Sequence, residues 1–178
     1  MPLALPRSLA FQDDIISTMD ISRTQVVSLF ATGGYGTAAA TYSTANLAMY
    51  FPLWLSEATV VRNAYLQIAT PSGNFDLGIY DASFARMVST GSTAATVTGG
   101  TQIVDITDTT LDRGYYWLAI ACNNTTISIR RTVPGSPYTR LLGFMMQTSA
   151  FPLPATATPV ATNQATMGMF GFTKRATL

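Results

Sequence analysis

Asn74-Phe75-Asp76-Leu77-Gly78-Ile79-Tyr80-Asp81 is the stretch that decides the fold class. It leaves a tight-turn sequence, Pro71-Ser72-Gly73-Asn74, and runs into a second turn from Asp81 to Ala85. Pro, Gly, Ser and Asn supply the backbone angles and local hydrogen bonds that reverse a chain. Between the turns the apolar residues recur every second position. Successive strand side chains point to opposite sides, so Phe75, Leu77 and Ile79 share one face. Asp76, Gly78 and Tyr80 share the other. A helix would need apolar residues at spacings of three and four, which this stretch lacks.

The same signals recur on both sides of it. Toward the N-terminus, Val60 to Ala69 places Ala64, Leu66 and Ile68 on one face, and Ala48 to Leu55 is a further strand. Val26 to Ala31 reads as the first strand, and Gly33-Gly34-Tyr35-Gly36 through Asn46 as a loop. Toward the C-terminus come a short strand from Arg86 to Thr90, a polar loop from Gly91 to Gly100, and a strand from Gln102 to Ile106. Leu111-Asp112-Arg113-Gly114 turns into the strongest strand, Tyr115 to Cys122. Asn123-Asn124 turns again, into Thr126 to Arg130 with Ile127 and Ile129 inward. Val133-Pro134-Gly135-Ser136-Pro137 is a loop, and Leu141 to Gln147 and Met167 to Phe172 are strands.

About eight to ten short strands between regular turns, with no long helix and no internal repeat, predict an all-β chain. The expected architecture is a single antiparallel β-sandwich, jelly-roll-like, with an extended N-terminal arm. Residues 1–24 form the arm, with a short helical turn near Asp13 to Met19. Residues 25–178 form the sandwich. Within it, residues 150–165 are a strap rich in Pro, Ala and Thr, punctuated by Pro152, Pro154 and Pro159.

Composition narrows the function. Hydrophobic residues make up 48 % of the 178, enough for a full core. Charged residues make up 11 %, against about 25 % in ordinary soluble domains. Interface cores are depleted in Lys, Glu and Asp, so the deficit is read first as a surface covered by neighbours, and alternatively as a Thr/Ser-rich β surface kept soluble by its hydroxyls. A net charge of +1, with scattered basic residues, argues against nucleic acid as a partner. No apolar run approaches the ~20 residues of a membrane helix, and the N-terminus lacks a secretion-signal pattern. Synthesis in a cytoplasm and no membrane partner are the expectations.

The chain has no histidine. That removes the commonest general base, the usual zinc ligand and any Ser-His triad. Cys122, the single cysteine, lies in an apolar strand and reads as an interior thiol. Asp76, Asp81, Asp105, Asp108 and Glu57 are read as turn residues rather than as an acid–base pair. Asp105-Ile106-Thr107-Asp108 is the best oxygen cluster for calcium, but it matches no specific loop motif. No catalytic residue, metal site or cofactor is assigned, and the chain is read as a non-enzyme. Of the aromatics, Tyr116, Leu118, Ile120 and Cys122 point inward together. Tyr115 and Trp117 therefore point outward beside Ala119 and Ala121, to stack on a sugar ring, meet a second subunit or lie under a covering loop. Trp54, between leucines, is read as core or interface.

Three motifs carry a resemblance: Gly73 to Asp81, Ser89-Thr90-Gly91-Ser92, and Leu111-Asp112-Arg113-Gly114-Tyr115-Tyr116-Trp117-Leu118-Ala119-Ile120. Together they resemble β-sandwich modules of tailed-bacteriophage virion proteins, among them capsid decoration (cement), tail-fibre and baseplate proteins. There a GxxxxGIYD strand leads through a turn to STGS, and LxxGxYYLAI supplies a central strand. Trp117 replaces a second Tyr or a Leu, and Phe84-Ala85 stands where a Gly-containing turn is common. The resemblance lies within residues 60–122, about a third of the chain. It implies a sandwich and a virion setting, and it carries no ligand residues across.

The function expected from these readings is a structural protein of a tailed-phage particle, foremost a capsid decoration protein located in the virion after synthesis in the bacterial host. Its partners would be further copies of itself, as a homotrimer, and other virion proteins such as the major capsid protein. A tail-fibre or baseplate component is the alternative, as is a glycan-binding module using Tyr115, Trp117 and the strap. The attachment element would be the apolar arm, through Leu3, Leu5, Leu9, Phe11, Ile15 and Ile16; the alternative is that the arm folds back on its own sandwich and covers an open edge.

Overall fold

The computed structural model describes residues 15–17, 38–132, 143–162 and 167–174. They form two antiparallel sheets packed face to face. The first sheet contains β1 (Ile15–Ser17), β2 (Ala38–Thr41), β4 (Thr59–Thr70), β8 (Gly100–Leu111), β10 (Ser128–Thr132), β13 (Met167–Gly168) and β14 (Phe170–Thr173). The second contains β3 (Ala48–Leu55), β5 (Asn74–Asp81), β6 (Arg86–Ser89), β7 (Thr93–Ala94), β9 (Gly114–Cys122), β11 (Met145–Gln147) and β12 (Val160–Ala161). The expected all-β sandwich is what the chain forms.

β4 organises the first sheet, with β8 along one edge and β14 and β10 along the other. The second sheet runs β12-β11-β3-β9-β5-β6, and β7 also pairs with β5. The chain crosses between sheets repeatedly: from β3 to β4, from β4 to β5, from β8 to β9 and from β9 to β10. These crossings place successive strands in opposite sheets of the sandwich.

Period-two patterning builds the core. Phe75, Leu77 and Ile79 of β5 join Leu118, Ile120 and Cys122 of β9 and Phe51 and Leu53 of β3. They meet Ala64, Leu66 and Ile68 of β4, Ile129 of β10, and Phe170 and Phe172 of β14. Phe51 packs edge-to-face against Phe144 and Phe170, at ring-centroid distances of 4.8 and 5.7 Å. That is the arrangement favoured by the ring quadrupole.

A second buried layer lies on the outer face of the second sheet. Ala48, Tyr50, Tyr80, Ala119 and Ala121 are covered by Ala150, Leu153 and Ala157. Residues 150–157 of the expected strap lie over this face, and β5 and the Leu118–Cys122 half of β9 are buried on both sides.

Several boundaries differ from the sequence reading. Ala38–Thr41, assigned to a loop, is a strand on β10. β7 interrupts the polar loop after Gly91. β8 runs from Gly100 to Leu111 rather than from Gln102 to Ile106, because the long β4 pairs with it almost throughout and Thr suits a pleated surface. Ile15–Ser17, expected in a helical turn, pairs antiparallel with β14, whose free edge supplies hydrogen bonds that a short helix would lack. Leu3, Leu5, Leu9 and Phe11 of the arm, the strand expected at Val26 to Ala31 and the loop at residues 133–137 lie outside the described residues.

Candidate interaction surface

The outward aromatics of the second sheet separate into two groups. Tyr115 and Trp117 both leave the outer side of β9, as alternation requires, but they do not form a joint platform. Trp117 stacks on Phe84 at 4.8 Å with 24° between the rings, at the margin of the strap-covered layer. Tyr115 pairs instead with Trp54, its direct cross-strand partner on β3. Their ring centroids lie 4.4 Å apart, tilted by 56°. Trp54 is 44 % exposed and Tyr115 65 %. The core reading of Trp54 is therefore corrected: Phe51, Leu53 and Leu55 take the inward positions of β3, and alternation sends Trp54 out.

Arg113 completes this ledge, its guanidinium 5.7 Å from the Trp54 ring centroid, within cation–π range. The ledge is rigid at its base. β3 and β9 pair without interruption from Ala48↔Ala121 to Leu55↔Gly114. The Tyr116 hydroxyl donates to the Asp112 carbonyl at 3.0 Å and pins the turn that carries Arg113. In the loop leaving β3, Glu57 meets Lys174 at 3.6 Å.

The carboxylates are dispersed. Asp81 behaves as its turn sequence requires, accepting from the Ser83 N–H at 2.8 Å, the Ser83 hydroxyl at 2.7 Å and the Ala85 N–H at 2.9 Å. These bonds, the Ser83 hydroxyl first, hold its carboxyl below the ordinary range. Asp76 overturns the turn reading. It lies inside β5, fully buried, and accepts the Leu153 N–H of the strap at 3.0 Å and the Thr90 hydroxyl at 3.2 Å. Burial pushes its carboxyl above the ordinary range, while Leu153, Thr90 and the Arg86 guanidinium oppose that rise. Asp105 lies on β8, within the strand expected at Gln102 to Ile106, and the longer β8 also takes in Asp108, which is paired with Arg62 across the ladder. Among the described residues no group of three or more His, Cys, Asp or Glu is placed to hold a metal ion.

Cys122 is in the core, its thiol pushed far up by burial. Burial likewise pushes Tyr50 up to about 12 and Tyr80 higher still, so both remain hydrogen-bond donors. Of the expected attachment residues, Ile15 and Ile16 lie on β1 at the edge of the first sheet. Trp54 and Arg113 were missed as parts of one site. Period two along Phe51 to Leu55 marks Trp54 as outward, whereas its contact with Arg113 needs the β3–β9 register. The scan of protein-family models and the searches of curated proteins and solved structures match nothing to this chain.

Proposed function

We propose that this chain is a non-enzymatic structural protein that works by packing against neighbours in a larger assembly, as a capsid decoration protein of a tailed-bacteriophage particle. The observation that carries the packing role is the ledge of Trp54, Tyr115 and Arg113. Trp, Tyr and Arg are the residue types that dominate binding hot spots. Here Trp54 and Tyr115 stand on two central strands, and Arg113 on the turn pinned beside them, where little ordering entropy remains to be lost on binding. The scarcity of charge over the whole chain supports the same role. The virion setting, the major capsid protein as neighbour and a homotrimer as working unit rest on the resemblance at residues 73–81, 89–92 and 111–120.

Exposed aromatic rings beside a guanidinium also suit a saccharide, which makes glycan binding the second reading. One experiment separates them. Epitope-tagged protein is added to purified particles and located by electron microscopy; a tag is needed because Cys122 is buried. Label over the shell that disappears with Trp54→Ala/Tyr115→Ala supports decoration. Label at one vertex or on the tail supports the tail alternative. No particle binding, together with glycan-array binding abolished by the same double variant, replaces the proposal with the second reading.

A further inference from the structure

The outer face of the second sheet has the form of a peptide groove. Gly78, Ala48, Ala119 and Ala121 make a low floor, and Tyr50, Tyr80, Phe84 and Trp117 stand around it. Ala150 to Ala157 lies along this floor as irregular extended chain. Leu153 is the anchor. Its Cδ1 would lie 2.9 Å from a Cβ added at Gly78, so the glycine makes the hole that it fills.

The remaining grip is on the strap's backbone. Asp76 accepts the Leu153 N–H and Arg86 donates to the Leu153 carbonyl, so opposite charges hold both polar groups of one residue. The Tyr80 hydroxyl donates to the Pro154 carbonyl at 2.7 Å. Backbone bonds join Ala155 to Arg86 and Ala157 to Phe84, each at 2.9 Å. A side-chain anchor in a hole, with main-chain hydrogen bonds on either side, is how proteins recognise extended peptides.

We propose that this groove is also a socket between subunits: in the assembled state it receives the strap of a second copy of this chain, through the contacts it makes here with its own. Every copy carries both socket and plug, so exchange preserves each contact and changes only the connection. The unit that would move is small. It runs from β11 through the strap to β12, joined to the sheet edge by three residue pairs with β3 and closed on itself by two between β11 and β12. No charged side chain occurs from residue 141 to residue 173, so transfer between copies desolvates no charge on the strap. The inference rests on the assembly role proposed above and is independent of the phage setting.

Two variants test it by complementation. Leu153→Asp breaks the plug and leaves the socket, and Gly78→Val blocks the socket and leaves the plug. Each alone should be monomeric. Mixed, they should give a heterodimer of doubled mass by native mass spectrometry, dispersed by excess synthetic peptide of residues 148–159. A mixture that stays monomeric, while both variants keep the wild-type far-UV spectrum, overturns the proposal. If either variant loses that spectrum, the wild-type sequence decides instead. A photo-crosslinker placed by Phe151→benzoylphenylalanine, in an oligomer mixed from light and heavy isotope-labelled chains, should join groove and strap peptides across isotopes. Crosslinks confined to one isotope, or no oligomer at high concentration, overturn it equally. Particle binding without exchange would leave the decoration role standing, and exchange without particle binding would leave the socket standing.

Discussion

Asp76 is the residue whose environment departs furthest from the apparent meaning of its sequence position. It sits on the outward face of an alternating strand, where water would be expected, and the strap removes that water. Charging a carboxyl there costs free energy that unfolding relieves. Its folded-state pKa stands above its unfolded one. Its contribution to stability is therefore full below the ordinary aspartate value of 3.8 and is lost as pH rises through the raised value. Asp81 has the opposite sign: its contribution is present above 3.8 and is lost as pH falls through its lowered value. Urea midpoints measured from about pH 2 to about pH 8 should show this. Asp76→Asn should remove a decline above 3.8, and Asp81→Asn a rise below it. An unchanged profile in Asp76→Asn would mean that its carboxyl is hydrated. Interior residues were more legible. Leu118 and Ile120, placed inward from alternation alone, are 0 and 1 % exposed. Leu118→Ala should cost roughly 2–5 kcal/mol by chemical denaturation, whereas Thr98→Ala, exposed between β7 and β8, should cost less than about 0.5 kcal/mol.

Among the elements, legibility followed hydrophobic alternation. β3 has the predicted extent, β5 runs one residue further at each end than the expected Phe75 to Tyr80, and β9 begins one residue early, at Gly114. β8 was seen only in part, because its outer half is Thr and Asp, and those residues become strand only when β4 lies beside them. The strap was recognised as extended from its prolines, but its docking site was not. No local pattern states that Gly78 and Leu153, so far apart in sequence, form a hole and its filler. That pairing is measurable. Gly78→Ala should destabilise the fold by about 1–3 kcal/mol through overpacking, and Leu153→Ala by about 2–5 kcal/mol through the cavity it leaves. The double variant should cost less than the sum, since shortening Leu153 vacates the space that the new methyl enters. Full additivity would show that the two side chains do not meet in solution.

At the scale of the whole molecule, the proposed contacts are made by a chain with few charged residues, and this constrains how it associates. The ledge offers two aromatic rings with a single guanidinium, and the socket offers an apolar groove, with Asp76 and Arg86 on the strap's backbone, to an uncharged strap. Burial of apolar surface is not weakened by simple salt, whereas pairing of exposed charges falls away as the Debye length shrinks from about 10 Å at 0.1 M to about 3 Å at 1 M. Association of this protein with its neighbours should therefore change by less than about threefold in affinity over that range. Trp54→Ala/Tyr115→Ala should weaken it by about 30-fold or more, the scale of a hot spot worth 2 kcal/mol, while lowering fold stability by less than about 1.5 kcal/mol. Sedimentation or calorimetric titration across the salt series, with denaturation of the same samples, measures both. A tenfold loss of affinity at high salt would assign the binding energy to Arg113, Glu57 and Lys174 rather than to the rings. Wild-type affinity in the double variant would move the contact off this ledge altogether.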